Sequence, residues 1–223
     1  IYWFMSREFA AAVGGAIVGG GIVAWIGWYI VKRNILDMDI ECRERKRAGR
    51  PTRLIFIRHG ESLGNIDSKN YETIPDNKMP LTKDGQDQAR EAGEVLKELV
   101  DGGTVRWFVS PYRRTVQTFH GLIEAFGYSK TTLPPGLRMS PQIREQDFGN
   151  FQRVADMDLH MQDRHKFGRF WFRFPFGESG ADVFDRVDAF ISNLSRQMDG
   201  QYPGGPSPHY DNYVFVTHGL TMR

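Results

Sequence analysis

Apolar residues fall into three kinds of run along the chain. The first is unbroken: Phe9 to Val31 reads FAAAVGGAIVGGGIVAWIGWYIV, 23 residues without a charge. As a helix it would extend about 34 Å at about 1.5 Å per residue, enough for a hydrocarbon core of about 30 Å, so it predicts one transmembrane helix. Trp25, Trp28 and Tyr29 run into Lys32 and Arg33, which fits an interfacial aromatic belt with a basic anchor rather than the cleavage site of a signal peptide. The second kind is short, rich in β-formers and stopped by polar residues. Arg53–Ile57 precedes Arg58-His59-Gly60-Glu61-Ser62, Val105–Val109 precedes Ser110-Pro111-Tyr112-Arg113-Arg114-Thr115, and Tyr213–Thr217 precedes His218-Gly219. Each predicts a buried strand with a polar cluster at its carboxyl end.

The third kind recurs every three or four residues and predicts helices over Thr82–Leu99, Thr115–Phe126 and the stretch after Ser179. The last begins with a capping-box-like Ser179-Gly-Ala-Asp182 and continues through Val183, Val187, Phe190, Ile191, Leu194 and Met198. Strands alternating with amphipathic helices predict an α/β domain, a mostly parallel central sheet flanked by helices, preceded by the transmembrane helix. Ligands of such sheets bind beyond the carboxyl ends of the strands, which is where the three polar clusters converge.

This divides the chain into an N-terminal flank (1–8), the transmembrane helix (9–31), a juxtamembrane linker (32–51) and a globular domain (52–223). The net charge of +2 is unevenly placed: residues 32 to 53 hold eight bases and four acids, and the residues after them hold 20 bases and 22 acids. A faintly acidic domain argues against a nucleic-acid partner. The basic linker predicts attraction to anionic membrane lipid and places the domain on the cytosol- or matrix-like side. Gly15 and Gly19 form a GxxxG stripe with Ala12, Ala16 and Gly20 alongside, a pattern that lets a second helix approach closely. Cys42 is the single cysteine; it excludes an intrachain disulfide and reads as a free thiol rather than a palmitoylation site. Both ends are expected to continue beyond Ile1 and Arg223.

Two histidines and several arginines, with no second acid beside either histidine, suit chemistry on a phosphoryl group. An arginine fork matches phosphate oxygens, and a neutral imidazole nitrogen is a competent nucleophile. Glu145, on a loop in Ile143-Arg144-Glu145-Gln146-Asp147-Phe148-Gly149, is available as a proton donor.

Taken in order, Arg58-His59-Gly60-Glu61-Ser62 with Asn65, Ser110-Pro-Tyr-Arg-Arg114-Thr-Val-Gln117-Thr118, Glu145 in REQDFGNFQ, Gly177-Glu178-Ser179 with DVFDRV, and Thr217-His218-Gly219 resemble the histidine phosphatase (phosphoglycerate mutase-like) superfamily over residues 52 to 223. The resemblance implies that His59 becomes a phosphohistidine and that Arg58, Arg114 and His218 hold the phosphoryl oxygens. It also implies that Asn65 contacts phosphate and that Glu145 is the general acid which later activates water. It implies no cofactor and no metal. Arg113, His120, His160, His165 and His209 are assigned to structure or surface.

Two departures bear on the substrate pocket: Phe176 stands where many relatives have glycine, and Arg153-Val154 follows Gln152 where a glycine is frequent. Met157–Phe174, aromatic and basic, reads as a substrate-facing lid or as a helix packing its aromatics into the core.

The expected function is a membrane-anchored phosphomonoester hydrolase, with mutase activity the lesser variant, acting on a phosphorylated small molecule or a phosphoprotein. The alternative is an accessory subunit of a large membrane complex, such as a mitochondrial respiratory or ATP synthase assembly, with the mitochondrial inner membrane as the expected location.

Overall fold

The computed structural model describes residues 30–33, 35–38, 40, 50–149, 153–199 and 208–223. The chain divides into two compact units, Ile1–Ala48 and Gly49–Arg223. In the first, residues 30–33, 35–38 and 40 are helical. The apolar run from Phe9 lies outside the described residues except at its end, as do Gly15, Gly19 and Cys42. Among the described residues no helix is long and apolar enough to cross a membrane.

The second unit is an α/β domain. Its sheet contains β1 (Arg53–Arg58), β2 (Val105–Val109), β3 (Leu137–Met139) and β4 (Asn212–Thr217), in the order β1-β4-β2-β3 and parallel throughout. Helices α1 (Leu63–Ile66), α2 (Lys83–Val100), α3 (Arg113–Glu124), α4 (Val154–Phe167) and α5 (Gly180–Met198) fill the connections.

Side chains alternate across the strands and so build two cores. Trp107, Val109, Val214 and Val216 pack under α2 and α3 against Leu96, Val100, Phe119, Leu122 and Ile123. Phe108, Tyr213 and Phe215 pack on the other side against Phe190 and Leu194 of α5 and Ile143. Gly93 faces the Leu122 backbone and Gly121 faces Ala89, so α2 and α3 approach closely where a side chain would collide. Caps form where the sequence places them. Thr82 Oγ1 accepts from the Gly85 amide at 2.8 Å, and Ser179 and Asp182 exchange side-chain-to-backbone bonds at the start of α5.

The first strand departs from expectation. It is the edge of the sheet, and although Ile55 and Ile57 pack beneath α2 and α3, Leu54 and Phe56 are 50% and 49% exposed. The core under α5 is built on β2 and β4 and stops short of β1. Among the described residues, stacking of Phe56 on Phe215, itself stacked on Phe108, ties that face of β1 to the core.

Candidate active site

Register fixes the site. Ile57, Val216 and Val109 are level across β1, β4 and β2. His59, His218 and Ser110 therefore emerge together at the carboxyl edge, and the His59 and His218 ring centroids are 5.3 Å apart. The turn after β1 is held from several sides. The His59 amide donates to the Thr217 carbonyl, the Gly60 amide donates to Thr118 Oγ1 at 3.0 Å, and the Leu81 amide donates to Gln117 Oε1 at 2.8 Å. Gly60 and Gly85 lie back to back, and a Cβ on either would run into the other's segment. The glycine after His59 thus serves close approach to the start of α2.

Arg58, His59, Asn65, Arg114 and Glu145 line one cavity of about 720 Å³. His59 Nδ1 lies 2.7 Å from the Gly60 carbonyl oxygen. A carbonyl only accepts, so Nδ1 carries the proton and Nε2 keeps its lone pair. Burial, with help from the positive charges of Arg114 and Arg58, lowers the His59 pKa to about 4 against the pull of that bond. The ring is neutral near pH 7. His218 is fully buried, and its pKa is driven far down by burial and then by Arg114. Its Nε2 lies 2.7 Å from Ser110 Oγ, whereas its Nδ1 is buried without a hydrogen-bond partner. With the hydroxyl donating to Nε2, Nδ1–H is a buried donor without a partner, and His218 itself stands beside His59 but not among the residues that line the cavity.

Arg114, at the second position of α3, is 3% exposed, and its guanidinium lies 5.1 Å from the centre of the Tyr112 ring. The neighbouring Arg113 points to solvent. Asn65 is engaged twice: its Oδ1 accepts from the Ser62 amide and hydroxyl at 3.0 and 2.9 Å, which leaves the Nδ2 donors for a ligand. Glu145 is 9% exposed, and burial raises its pKa despite the Gln146 amide and Arg114. A carboxyl that retains its proton is what a general acid needs.

The sequence did not point to Asp76. It lies in a short turn, Asp76–Lys78, and grips Arg114: Nη1 donates to its carbonyl and to Oδ1, both at 2.7 Å. Tyr71 and Tyr112 also face the cavity. Burial pushes Tyr112 up to about 12 and raises Tyr71, so both phenols keep their protons. Tyr112 was visible inside the second motif; for Asp76, in a polar turn 38 residues from its partner, no local signal existed.

The loop carrying Glu145 is clamped by the fourth motif. Glu178 accepts from Arg186 Nε at 2.9 Å and from the Asp147 amide at 3.0 Å, and it pairs with Arg144 at 2.5 Å. Arg186 Nη2 donates to the Glu145 carbonyl at 3.1 Å. Helix α4 supplies a cavity wall through Val154, Met157, Asp158 and Met161, while Phe174 is fully buried and Phe167 and Trp171 are each 68% exposed. The segment thus serves as pocket wall and only in part as core. Among the described residues, no group of three His, Cys, Asp or Glu is arranged to hold a metal ion.

The chain is 45% identical to the phosphoglycerate mutase-like protein AT74H of Arabidopsis thaliana, over 78% of this chain and 64% of that protein. It is 44% identical to AT74 of the same plant, over 78% of this chain and 56% of that one. The chain therefore spans about three-fifths of the length of these relatives. The broad-range acid phosphatase DET1 of Saccharomyces cerevisiae is 29% identical over 78% of this chain and 77% of its own length. Among solved structures, the α-ribazole phosphatase of Shigella flexneri superposes with a TM-score of 0.55 at 24% identity, over 76% of this chain and 75% of that one, a likeness of fold. With residues 54–223 matching the profile of the histidine phosphatase superfamily (branch 1), the chain belongs to that superfamily.

Proposed function

We propose that the domain is a phosphomonoesterase that works through a phosphohistidine. The observation that carries this is the state of His59: a buried, neutral ring whose proton is committed to the Gly60 carbonyl, with its basic nitrogen free in a cavity that also holds Arg58 and Arg114. Nε2 attacks phosphorus, the bond to the ester oxygen breaks, and Glu145 gives that oxygen its proton. The resulting Glu145 carboxylate then takes a proton from water as the water attacks phosphorus, which releases phosphate and restores His59. Arg58, Arg114, the Asn65 amide and His218 Nδ1–H are the donors for the three phosphoryl oxygens, whose charge grows in transfer. The name of the yeast relative, an acid phosphatase, supports hydrolysis over mutase chemistry.

Hydrolysis of 4-nitrophenyl phosphate without added divalent cation tests this. The wild-type chain should turn it over, and His59→Ala should lose about a thousandfold or more. A strict requirement for magnesium or zinc would contradict it, because the arginines already supply the positive charge a metal would bring.

The uncharged run Phe9–Val31 and the basic residues after it support a tether to a membrane, with the domain on its cytosol- or matrix-like side. Alkaline carbonate extraction of membranes should leave the full chain behind and release a chain that starts at Gly49. Release of both would remove the tether.

A further inference from the structure

The cavity lining has two parts of different character. Arg58, Arg114 and the neutral His59 stand together, with Asp76 paired to Arg114 and the Tyr112 ring 5.1 Å from its guanidinium, so the cationic charge there is that of two guanidiniums, one of them already shared. This suits one phosphate group. The rest of the lining includes Tyr71, Phe148, Val154, Met157 and Met161, interrupted by the carboxylates Asp147 and Asp158. The one further arginine there, Arg153, is turned to a carboxylate of its own: its Nε lies 3.1 Å from Asp156 Oδ2.

A second phosphate or carboxylate on the substrate would therefore meet two acidic side chains, and the one cation among the described residues of that wall, Arg153, is already paired with Asp156. An apolar or aromatic alcohol would meet rings and thioethers. Discrimination of this kind comes from repulsion built against the wrong ligand as much as from contact with the right one.

From this we infer that the site selects phosphomonoesters of apolar or aromatic alcohols that carry no second anionic group, and that Asp158 is a specificity-determining residue. The inference rests on the phosphatase reading above and adds the class of substrate to it. It sets the pocket apart from one built for phosphorylated sugar acids, in which a cation would have to stand where Asp158 stands. Asp76 acts instead through its grip on Arg114, so its removal alters the turnover of any phosphomonoester. Asp158 is an exposed residue of α4 that lines the cavity and takes no part in that ion pair.

The test is a matched pair of esters, phenyl phosphate and 4-carboxyphenyl phosphate, hydrolysed by the full chain. The carboxylate makes the phenol the slightly better leaving group, so slower reaction of the second ester reports the pocket and not the chemistry. The wild type should prefer phenyl phosphate in kcat/KM by about tenfold or more, the worth of a like-charge contact in a half-open site. Asp158→Lys should bring the two esters to within about threefold or reverse their order, whereas Asp76→Asn should change both rates and leave their ratio within about threefold of the wild type's. Equal rates in the wild type, or a ratio that Asp158→Lys does not shift, overturns the inference while leaving the phosphatase reading standing. Hydrolysis of neither ester overturns both.

Discussion

Phe176 holds a left-handed backbone, φ 58°, and is 87% exposed. It stands just before Gly177-Glu178-Ser179, where the resemblance in the sequence leads to the expectation of a glycine. A side chain in that conformation costs roughly 1–2 kcal/mol, and an exposed ring makes little packing to offset it. Phe176→Gly should therefore raise stability by about 1 kcal/mol, part of the relief being returned as chain entropy. A denaturant midpoint that is unchanged or lower would place the source of the strain elsewhere.

His59 links stability to pH with a definite sign. Its folded pKa, about 4, lies below the ordinary 6.5. Between these values the unfolded chain binds a proton that the folded chain refuses, so this stability is complete above pH 6.5 and is lost as pH falls toward 4. The loss is on the order of 3 kcal/mol. His218, shifted in the same direction, adds to the slope. Unfolding curves between pH 7 and pH 4 should show His59→Asn losing less stability than the wild type; equal losses would mean that His59 titrates normally.

Glu145 behaves oppositely in activity. Burial raises its pKa, and the proton it needs for a poor leaving group is lost as pH rises through that raised value. Glu145→Gln should slow alkyl phosphates about a hundredfold or more yet spare 4-nitrophenyl phosphate in the first step. Equal losses for both esters would remove Glu145 from the acid role.

Among the elements, the loop that carries Glu145 depends on a neighbour in space. Burial disfavours the Glu178 charge, but the Arg186 bonds, the Asp147 amide and Arg144 together hold its pKa below the usual carboxylate range. With Glu178 gone, Arg144 and Arg186 face each other uncompensated and the Asp147 amide loses its acceptor. Glu178→Ala should cost about 2 kcal/mol of stability and slow poor leaving groups more than good ones, because what is displaced is the acid. A uniform loss across leaving groups would make Glu178 a purely structural residue.

The strand ends and their histidines were legible in the sequence because polar groups closing a buried apolar run are costly unless they meet at a site, and Ser179 to Asp182 announced α5 through its cap. The exposed face of β1 was not legible, since Leu54 and Phe56 look like core until the helix that would cover them is seen to lie over β2 and β4. Nor was the role of α4, whose Met157 and Met161 line the ligand cavity, a surface that periodicity cannot tell from a core. The Asp76–Arg114 grip joins a turn to a helix, and only the folded chain brings them together.

For the whole molecule, the parallel sheet gathers at one edge groups that are distant in sequence, and the neutrality of both histidines follows from their burial there. The electrostatics of the domain leave two arginines and one neutral imidazole nitrogen facing the cavity. In the mechanism proposed above that nitrogen attacks phosphorus, and a phosphorylated enzyme is the direct consequence. The full chain should be quenched in alkali during turnover of a ³²P-labelled aryl phosphate and then digested. The peptide containing His59 should carry phosphate that survives base and is lost in acid, and His59→Asn should carry none. Label on another residue, an acid-stable label, or undiminished turnover by His59→Asn would contradict the mechanism.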